Sequence, residues 1–161
     1  MIREMTKADF EAFWPTFSSV IQAQETYAFE PDMTIEQAYG LWCESTLKSF
    51  IYEENSIVLA TYYLKANAMG PSGHICNCGY MVSSAARGKG LARLMCEHSQ
   101  DVALQLGFEA MQFNSVVSTN EVAVKLWQKL GFSIIGTIPN AYYHGTLGLV
   151  DSYIMHKGLK Q

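Results

Sequence analysis

The chain has 161 residues, of which 49% are hydrophobic and 16% charged, with a formal net charge of -4 from 11 basic and 15 acidic side chains. That length suits one domain spanning residues 1–161, and the acidic balance argues against a nucleic-acid partner, which selects a basic face. No run approaches the roughly 20 apolar residues of a membrane span, and the charged start Met1-Ile2-Arg3-Glu4 lacks a signal-peptide core, so no membrane association and a cytoplasmic location are expected.

Ile2 to Met5 reads as a first strand. Thr6 or Asp9 is placed to cap a helix over roughly Phe10 to Ala23, with Phe13, Phe17, Val20 and Ile21 inward. Pro15 inside that span predicts a late start or a kink. Gln24 to Met33 has no helical period and reads as a loop. Thr34 followed by Gln37 makes a capping box for a second helix reaching about Cys43. Lys48 to Tyr52 and Ile57 to Leu64 form a hairpin around Glu53-Glu54-Asn55-Ser56. Lys65 to Gly73 then reads as a loop broken by Gly70-Pro71-Ser72-Gly73.

Ile75 to Val82 alternates like a strand. His74, Cys76, Cys78, Tyr80 and Val82 point one way; Ile75, Asn77, Gly79 and Met81 point the other. Asn77 is thus a polar side chain on an interior strand, and a buried amide needs partners. Leu91 to Leu106 has helical spacing, with Leu91, Leu94, Met95, Val102 and Leu106 as the apolar face. Ala110 to Val117 is the next strand. Met111, Phe113, Ser115 and Val117 share one face; Gln112, Asn114 and Val116 share the other, so Asn114 repeats the problem of Asn77. Val122 to Leu130 is a helix with Ala123, Leu126, Trp127 and Leu130 inward, closed by Gly131. Phe132 to Ile138 is a strand, Pro139 to Gly145 a polar-aromatic loop, and Val150 to His156 the last strand.

The four cysteines lack the paired spacing of a zinc site. Cys76 and Cys78 share a strand face while Cys43 and Cys96 are isolated, so core thiols are expected and no metal.

Between strand and helix lies Arg87-Gly88-Lys89-Gly90-Leu91-Ala92. A Gly-rich turn that opens a helix leaves backbone N–H groups unpaired, with the positive end of the helix dipole behind them, and a diphosphate fits there. The segment is neither G-x-G-x-x-G nor a P-loop. Two of the glycines are present and no acidic ribose binder follows; Lys89 lies between glycines with no Ser or Thr after it.

Arg87, Gly90 and Ala92 match [Gln/Arg]-x-x-Gly-x-[Gly/Ala], and Asn120-Glu121-Val122-Ala123-Val124-Lys125-Leu126-Trp127-Gln128-Lys129-Leu130-Gly131-Phe132 matches a second segment at the same family spacing. The stretch from Ile75 to Phe132 therefore resembles the acetyl-CoA-binding core of the GCN5-related N-acetyltransferase (GNAT) superfamily. The resemblance implies an α/β fold with a mixed central sheet of about seven strands, splayed between the fourth and fifth and flanked by about four helices. It implies acetyl-CoA as cosubstrate and direct transfer to an amine. Loop residues Arg87, Gly88, Lys89, Gly90, Leu91 and Ala92 would hold the pyrophosphate. Main-chain groups of Tyr80, Met81 and Val82 would pair with the pantetheine arm, and Asn120 would contact it. Trp127 stands where the family usually has a tyrosine that protonates the leaving thiolate. An indole N–H does not take over that role, leaving solvent, or Tyr142 or Tyr143. The frequent glutamate base on the central strand is absent too, which argues against strongly basic acceptors such as polyamines.

Asn77-Cys78-Gly79-Tyr80-Met81-Val82, Met111 to Asn120, and Gly136-Thr137-Ile138-Pro139 with Gly148-Leu149-Val150-Asp151 look like a subgroup containing fungal acetyltransferases that detoxify azetidine-2-carboxylate. By that likeness Asn77 and Asn114 lie near the acceptor as catalytic candidates. A small amino or imino acid is the leading acceptor, and a homodimer is plausible. Tyr27, Glu30, Lys65 and Tyr142 are substrate-binding candidates by location, Lys65 through a substrate carboxylate. Two alternatives stand beside this: a coenzyme A-binding regulatory domain without catalysis, and a protein N-acetyltransferase.

Overall fold

The computed structural model describes residues 1–160. The strands are Ile2–Glu4 (β1), Lys48–Glu54 (β2), Ile57–Ala66 (β3), Ile75–Val82 (β4), Ala110–Val117 (β5), Ser133–His144 (β6) and Gly148–Gly158 (β7). The α-helices are Lys7–Ala23 (α1), Ile35–Tyr39 (α2), Leu91–Gln105 (α3) and Glu121–Lys129 (α4). One mixed sheet runs in the order β1-β2-β3-β4-β5-β7-β6. β4 and β5 are parallel and pair only at Ile75–Ala110 and Cys76–Met111, after which they part. This is the splay that the resemblance implies.

Each face of the sheet carries its own core. Cys76, Cys78, Tyr62, Leu64 and Met111 pack with Met95 of α3 and Trp127 of α4 on one side. Met81 packs with Phe10, Phe13, Phe17 and Ile21 of α1 and with Ala38 and Trp42 on the other. The alternation along β4 is therefore the predicted one. Cys76, Cys78 and Cys96 are buried core thiols.

The first helix begins earlier than the sequence suggests. Thr6 and Asp9 form a reciprocal capping box at its start, and the helix runs through Pro15. Pro15 is exposed, so the helix bond it cannot make falls on the water side. The box also anchors β1. Arg3 donates Nη1 and Nη2 to the two Asp9 oxygens at 2.7 and 2.9 Å, and its Nε reaches Glu53 at 2.9 Å. Arg3 above all, together with the Thr6 amide and hydroxyl, pulls the Asp9 carboxyl from 3.8 down to about 2. A folded-state value below the unfolded one means that this contribution is complete above about pH 4 and is lost as pH falls toward 2. Arg3→Gln is expected to lower the melting temperature at pH 6, with the gap to wild type closing as pH drops to 2. A gap that stays constant across that range would remove the ion pair as its cause.

Four further expectations change. In α3 the buried face is Leu91, Met95, Cys96, Ser99 and Ala103, while Leu94 and Leu106 are about 40% exposed. Choosing the face by side-chain size hid it, because Ser99 sits in its middle and is bonded to the Tyr80 hydroxyl at 2.6 Å. In β5 a bulge between Phe113 and Val116 reverses the alternation. Val116 therefore joins Phe113 in the core, and Asn114 is exposed rather than buried. Val124, not foreseen as inward, is buried with Trp127 in α4. Finally, Pro139 to His144 belongs to β6. The strand absorbs a register shift between Ile138 and Tyr142, with Asn140 at φ 48° and its N–H bonded to Asp151. Turn residues there make a bulge instead of an end.

Candidate active site

The gap between β4 and β5 opens into a cleft of about 740 Å³. At one end lies the start of α3. Helices α1, α2 and α4 each have a side-chain oxygen on their first-turn amides, from Thr6, Thr34 and Asn120. Helix α3 has none, because its N-cap is Gly90 at φ 71°. The first amides of any helix have no carbonyl behind them, so at α3 they are left available. Gly88 is also left-handed, at φ 82°, and a Cβ at either glycine would meet open space. Backbone conformation, not crowding, calls for glycine here. Arg87 and Ala92 line the cleft, and Leu91 is buried as the anchor of the helix. Lys89 turns elsewhere. Its Nζ lies 2.6 Å from Glu54 at the end of β2, and this hydrogen bond raises the Lys89 pKa. Its charge is thus paired with Glu54 rather than added undivided to the positive start of α3.

Along the middle run Tyr80, Met81 and Val82 on one wall, with Asn120 and Trp127 on the other. Trp127 is buried with its ring 5.1 Å from that of Tyr80 and 5.3 Å from that of Phe113. It packs as a wall of the cleft. The Asn120 Oδ1 accepts the Ala123 N–H at 3.4 Å, so its carbonyl side caps α4.

At the other end the cleft is lined by Tyr27, Tyr63, Lys65, Asn77 and Asn114. Lys65 lies on β3 rather than in a loop. Asn77 is buried and bonded on both sides: Tyr63 donates its hydroxyl to Oδ1 at 3.0 Å, and Nδ2 donates to the Gln112 carbonyl at 2.9 Å. That second bond spans β4 and β5 where their ladder stops. The amide is at once a tie across the splay and part of the cleft wall. Asn114 does not touch it. Its Nδ2 donates to Asn67 at 2.7 Å and its Oδ1 accepts from Gln112 at 3.0 Å. The Tyr27 hydroxyl donates to the Tyr80 carbonyl at 2.6 Å. Burial pushes the Tyr27 phenol well above its usual range and that of Tyr63 up to about 12, so both are neutral donors.

Two candidates fall away from the cleft. Glu30 is exposed and outside its lining, where Glu25 from the same loop stands instead. The loop commits Tyr27 and Phe29 to the core, stacked at 5.5 Å, and leaves Glu30 in the turn closed by Met33. Tyr142 is buried behind the lining, with its hydroxyl on the Tyr27 carbonyl at 3.0 Å. It supports the loop, and Tyr143 is 71% exposed. Neither stands in the cleft as a proton donor. Sequence reasoning missed Tyr63. Its signal was the Tyr-x-Lys of β3 facing the Asn-x-Gly of β4, readable only once the strand register is known. Among the described residues no group of three or more His, Cys, Asp or Glu side chains is placed to hold a metal ion. No helix among them is long and apolar enough to cross a membrane.

The model of the acetyltransferase (GNAT) family matches residues 7–132. The chain belongs to the GNAT acetyltransferase family. It is 32% identical over 152 residues to the N-acetyltransferase aca1 of Schizosaccharomyces pombe, covering 94% of this chain and 67% of that one. A GCN5-related N-acetyltransferase from Kribbella flavida is 41% identical and superposes with a TM-score of 0.92, covering 98% of this chain and 96% of that one. A GNAT-superfamily phosphinothricin acetyltransferase from Sinorhizobium meliloti, in complex with acetyl-CoA, shares the fold at 16% identity and a TM-score of 0.86, covering 99% and 88% of the two chains. As a GNAT member this chain is an acetyltransferase, and its splayed sheet is the fold of these relatives.

Proposed function

We propose that this GNAT chain is an acetyl-CoA-dependent N-acetyltransferase that transfers the acetyl group directly to the amine of a small amino acid or imino acid. One observation carries the reading: the only α-helix whose first-turn amides lack a side-chain cap, among the described residues, opens beside the splay of the sheet. A diphosphate meets free N–H groups and a favourable dipole there. In this reading the loop Arg87 to Ala92 holds the pyrophosphate, and the main chain of Tyr80 to Val82 receives the pantetheine arm. Asn120 keeps its Nδ2 for that arm while Oδ1 caps α4. Trp127 supplies an apolar wall. Acetyl-CoA-bound relatives of the same fold are consistent with this path.

At the acceptor end Asn77 and Asn114 orient the amine, and Lys65 faces a carboxylate. The amine nitrogen bonds to the thioester carbon, the carbon–sulfur bond breaks, and the thiolate leaves. Solvent takes the amine proton and protonates the thiolate, which is a tolerable leaving group. An acyl-cysteine route is disfavoured. Cys78 lines the cleft, but burial above all pushes its thiol well above the ordinary range, so it stays protonated. The reading takes residues 1–161 as one domain working in the cytoplasm, with a homodimer as its assembly.

The second reading is a coenzyme A-binding domain without catalysis. Trp127 at the usual tyrosine position and a central strand without a carboxylate favour it. Coenzyme A release from acetyl-CoA, measured with azetidine-2-carboxylate, proline analogues, phosphinothricin, polyamines and a short peptide, separates the cases. Turnover confined to amino and imino acids is expected. Saturable acetyl-CoA binding with no turnover would favour the binding domain, and turnover on the peptide would favour a protein acetyltransferase.

A further inference from the structure

Strands β3 and β4 pair Tyr63 with Gly79 and Lys65 with Asn77, and opposed residues of an antiparallel pair share a face. These four positions therefore form one square on the side of the sheet that carries α1 and α2. Gly79 leaves its corner empty, and the Tyr63 ring lies across it: a Cβ there would stand 2.5 Å from Tyr63 Cε1. The ring has little freedom to leave. Trp42 meets it edge-on at 4.8 Å and is itself held by a bond from Nε1 to Thr61 Oγ1 at 3.1 Å.

From that position Tyr63 acts on both of its neighbours. The Gln112 carbonyl only accepts, so it must face the Asn77 Nδ2, and the hydroxyl of Tyr63 then donates to Oδ1. The amide is fixed in one sense, with one N–H and one oxygen lone pair left over. The face of the same ring carries the Lys65 ammonium at 5.4 Å from the centroid. Lys65 is half-buried, lines the cleft, and makes no ion pair among the described residues. A seated cation without a carboxylate beside an oriented amide matches an acceptor that carries its own carboxylate near the amine.

We propose that Tyr63 is the positioning residue of the acceptor end, its hydroxyl setting the Asn77 amide and its ring seating Lys65 for the carboxylate of the acceptor. This rests on the acetyltransferase reading above and adds to it the residue that selects an amine with an adjacent carboxylate.

The test compares azetidine-2-carboxylate with its carboxamide. Wild type is expected to prefer the acid in kcat/KM by about tenfold or more, and Lys65→Met to lose far more activity on the acid than on the carboxamide. Tyr63→Phe keeps the ring and loses the hydroxyl. It is expected to lower kcat about tenfold while leaving the KM for acetyl-CoA and the acid preference in place. Tyr63→Leu is expected to lose kcat and preference together, with its melting temperature reported alongside. Equal wild-type use of acid and carboxamide would overturn the Lys65 assignment, and a Tyr63→Phe enzyme equal to wild type would overturn the positioning role. Calorimetric titration of both ligands in the presence of coenzyme A reads the preference without turnover. Failure to turn over any amine, with the acid still bound tighter, would therefore count against the acetyltransferase reading and not against this one; equal affinities would overturn this one.

Discussion

Gly90→Asp is expected to raise the KM for acetyl-CoA by about tenfold or more while kcat at saturation stays within about threefold, because the change acts on a binding contact common to ground and transition states. Gly90 is the N-cap of α3 at φ 71°, with open space where a Cβ would stand. The substitution meets no steric barrier, and a left-handed backbone costs a non-glycine residue about 1–2 kcal/mol, less for Asp. What it adds is a carboxylate at the amides proposed for the pyrophosphate. Two unit charges about 4 Å apart repel by about 1 kcal/mol in bulk water and about 4 kcal/mol at a protein surface. A tenfold rise in KM needs about 1.4 kcal/mol, which the protein-surface value covers and full bulk-water screening would not. Gly90→Ala separates the causes, since it carries the backbone strain without the charge. Equal KM values for the two variants would mean that the α3 start does not hold the diphosphate.

The parts of the fold readable in advance were those set by local chemistry. Thr6 and Thr34 announced their helices, Gly131 at φ 97° ends α4 as foreseen, and the alternation of Ile75 to Val82 placed each side chain of β4 on its proper face. What escaped depended on partners distant in the chain. The β5 bulge is defined against β7, and it turns Val116 into the core beside Phe113. The extension of β6 is possible because Val150 and Leu149 on β7 take up Tyr142 and Tyr143. In the cleft the uncapped start of α3 was legible because a Gly-rich helix start is a local feature. The opposite end of the cleft was not, because Tyr63 gains its place from Gly79 across the sheet and Glu25 replaces Glu30 in the lining through the path of a loop with no period.

The absence of a carboxylate on β4 has a kinetic consequence. With Tyr27 and Tyr63 held neutral by burial and Asn77 bonded on both sides, β4 and its neighbours offer no strong base to the amine. In the proposed reaction the neutral fraction of the acceptor amine is then the reacting species, and binding and orientation supply the acceleration without a proton transfer by the protein. In that reading the Lys65 ammonium also discriminates against polyamines, which bring no carboxylate to offset it.

Gly79→Ala is expected to be the most damaging single methyl that can be added to this cleft. The new Cβ would stand 2.5 Å from Tyr63 Cε1, 3.0 Å from its Cζ and 3.2 Å from the Tyr27 hydroxyl. None of these is the loose end of a flexible chain. The Tyr63 ring is pinned by Trp42, and the Tyr27 hydroxyl is bonded to the Tyr80 carbonyl. Overpacking of this kind costs about 1–3 kcal/mol. At about 2–4 °C per kcal/mol for a chain of this size, the melting temperature should fall by about 2–12 °C. Activity should fall further than stability alone explains, because displacing the ring breaks its bond to Asn77 and unseats Lys65 at once. Shortening the side chain opposite removes the obstruction. Gly79→Ala combined with Tyr63→Leu should therefore be more stable than the sum of the two single effects, a coupling that double-mutant cycles detect when residues touch. Activity should not return with that stability, because the hydroxyl and the ring that orient Asn77 and Lys65 are gone. Additive stabilities would show that β4 yields instead of the ring, and a recovered kcat would show that the packing at Gly79, not the orientation set by Tyr63, governs turnover.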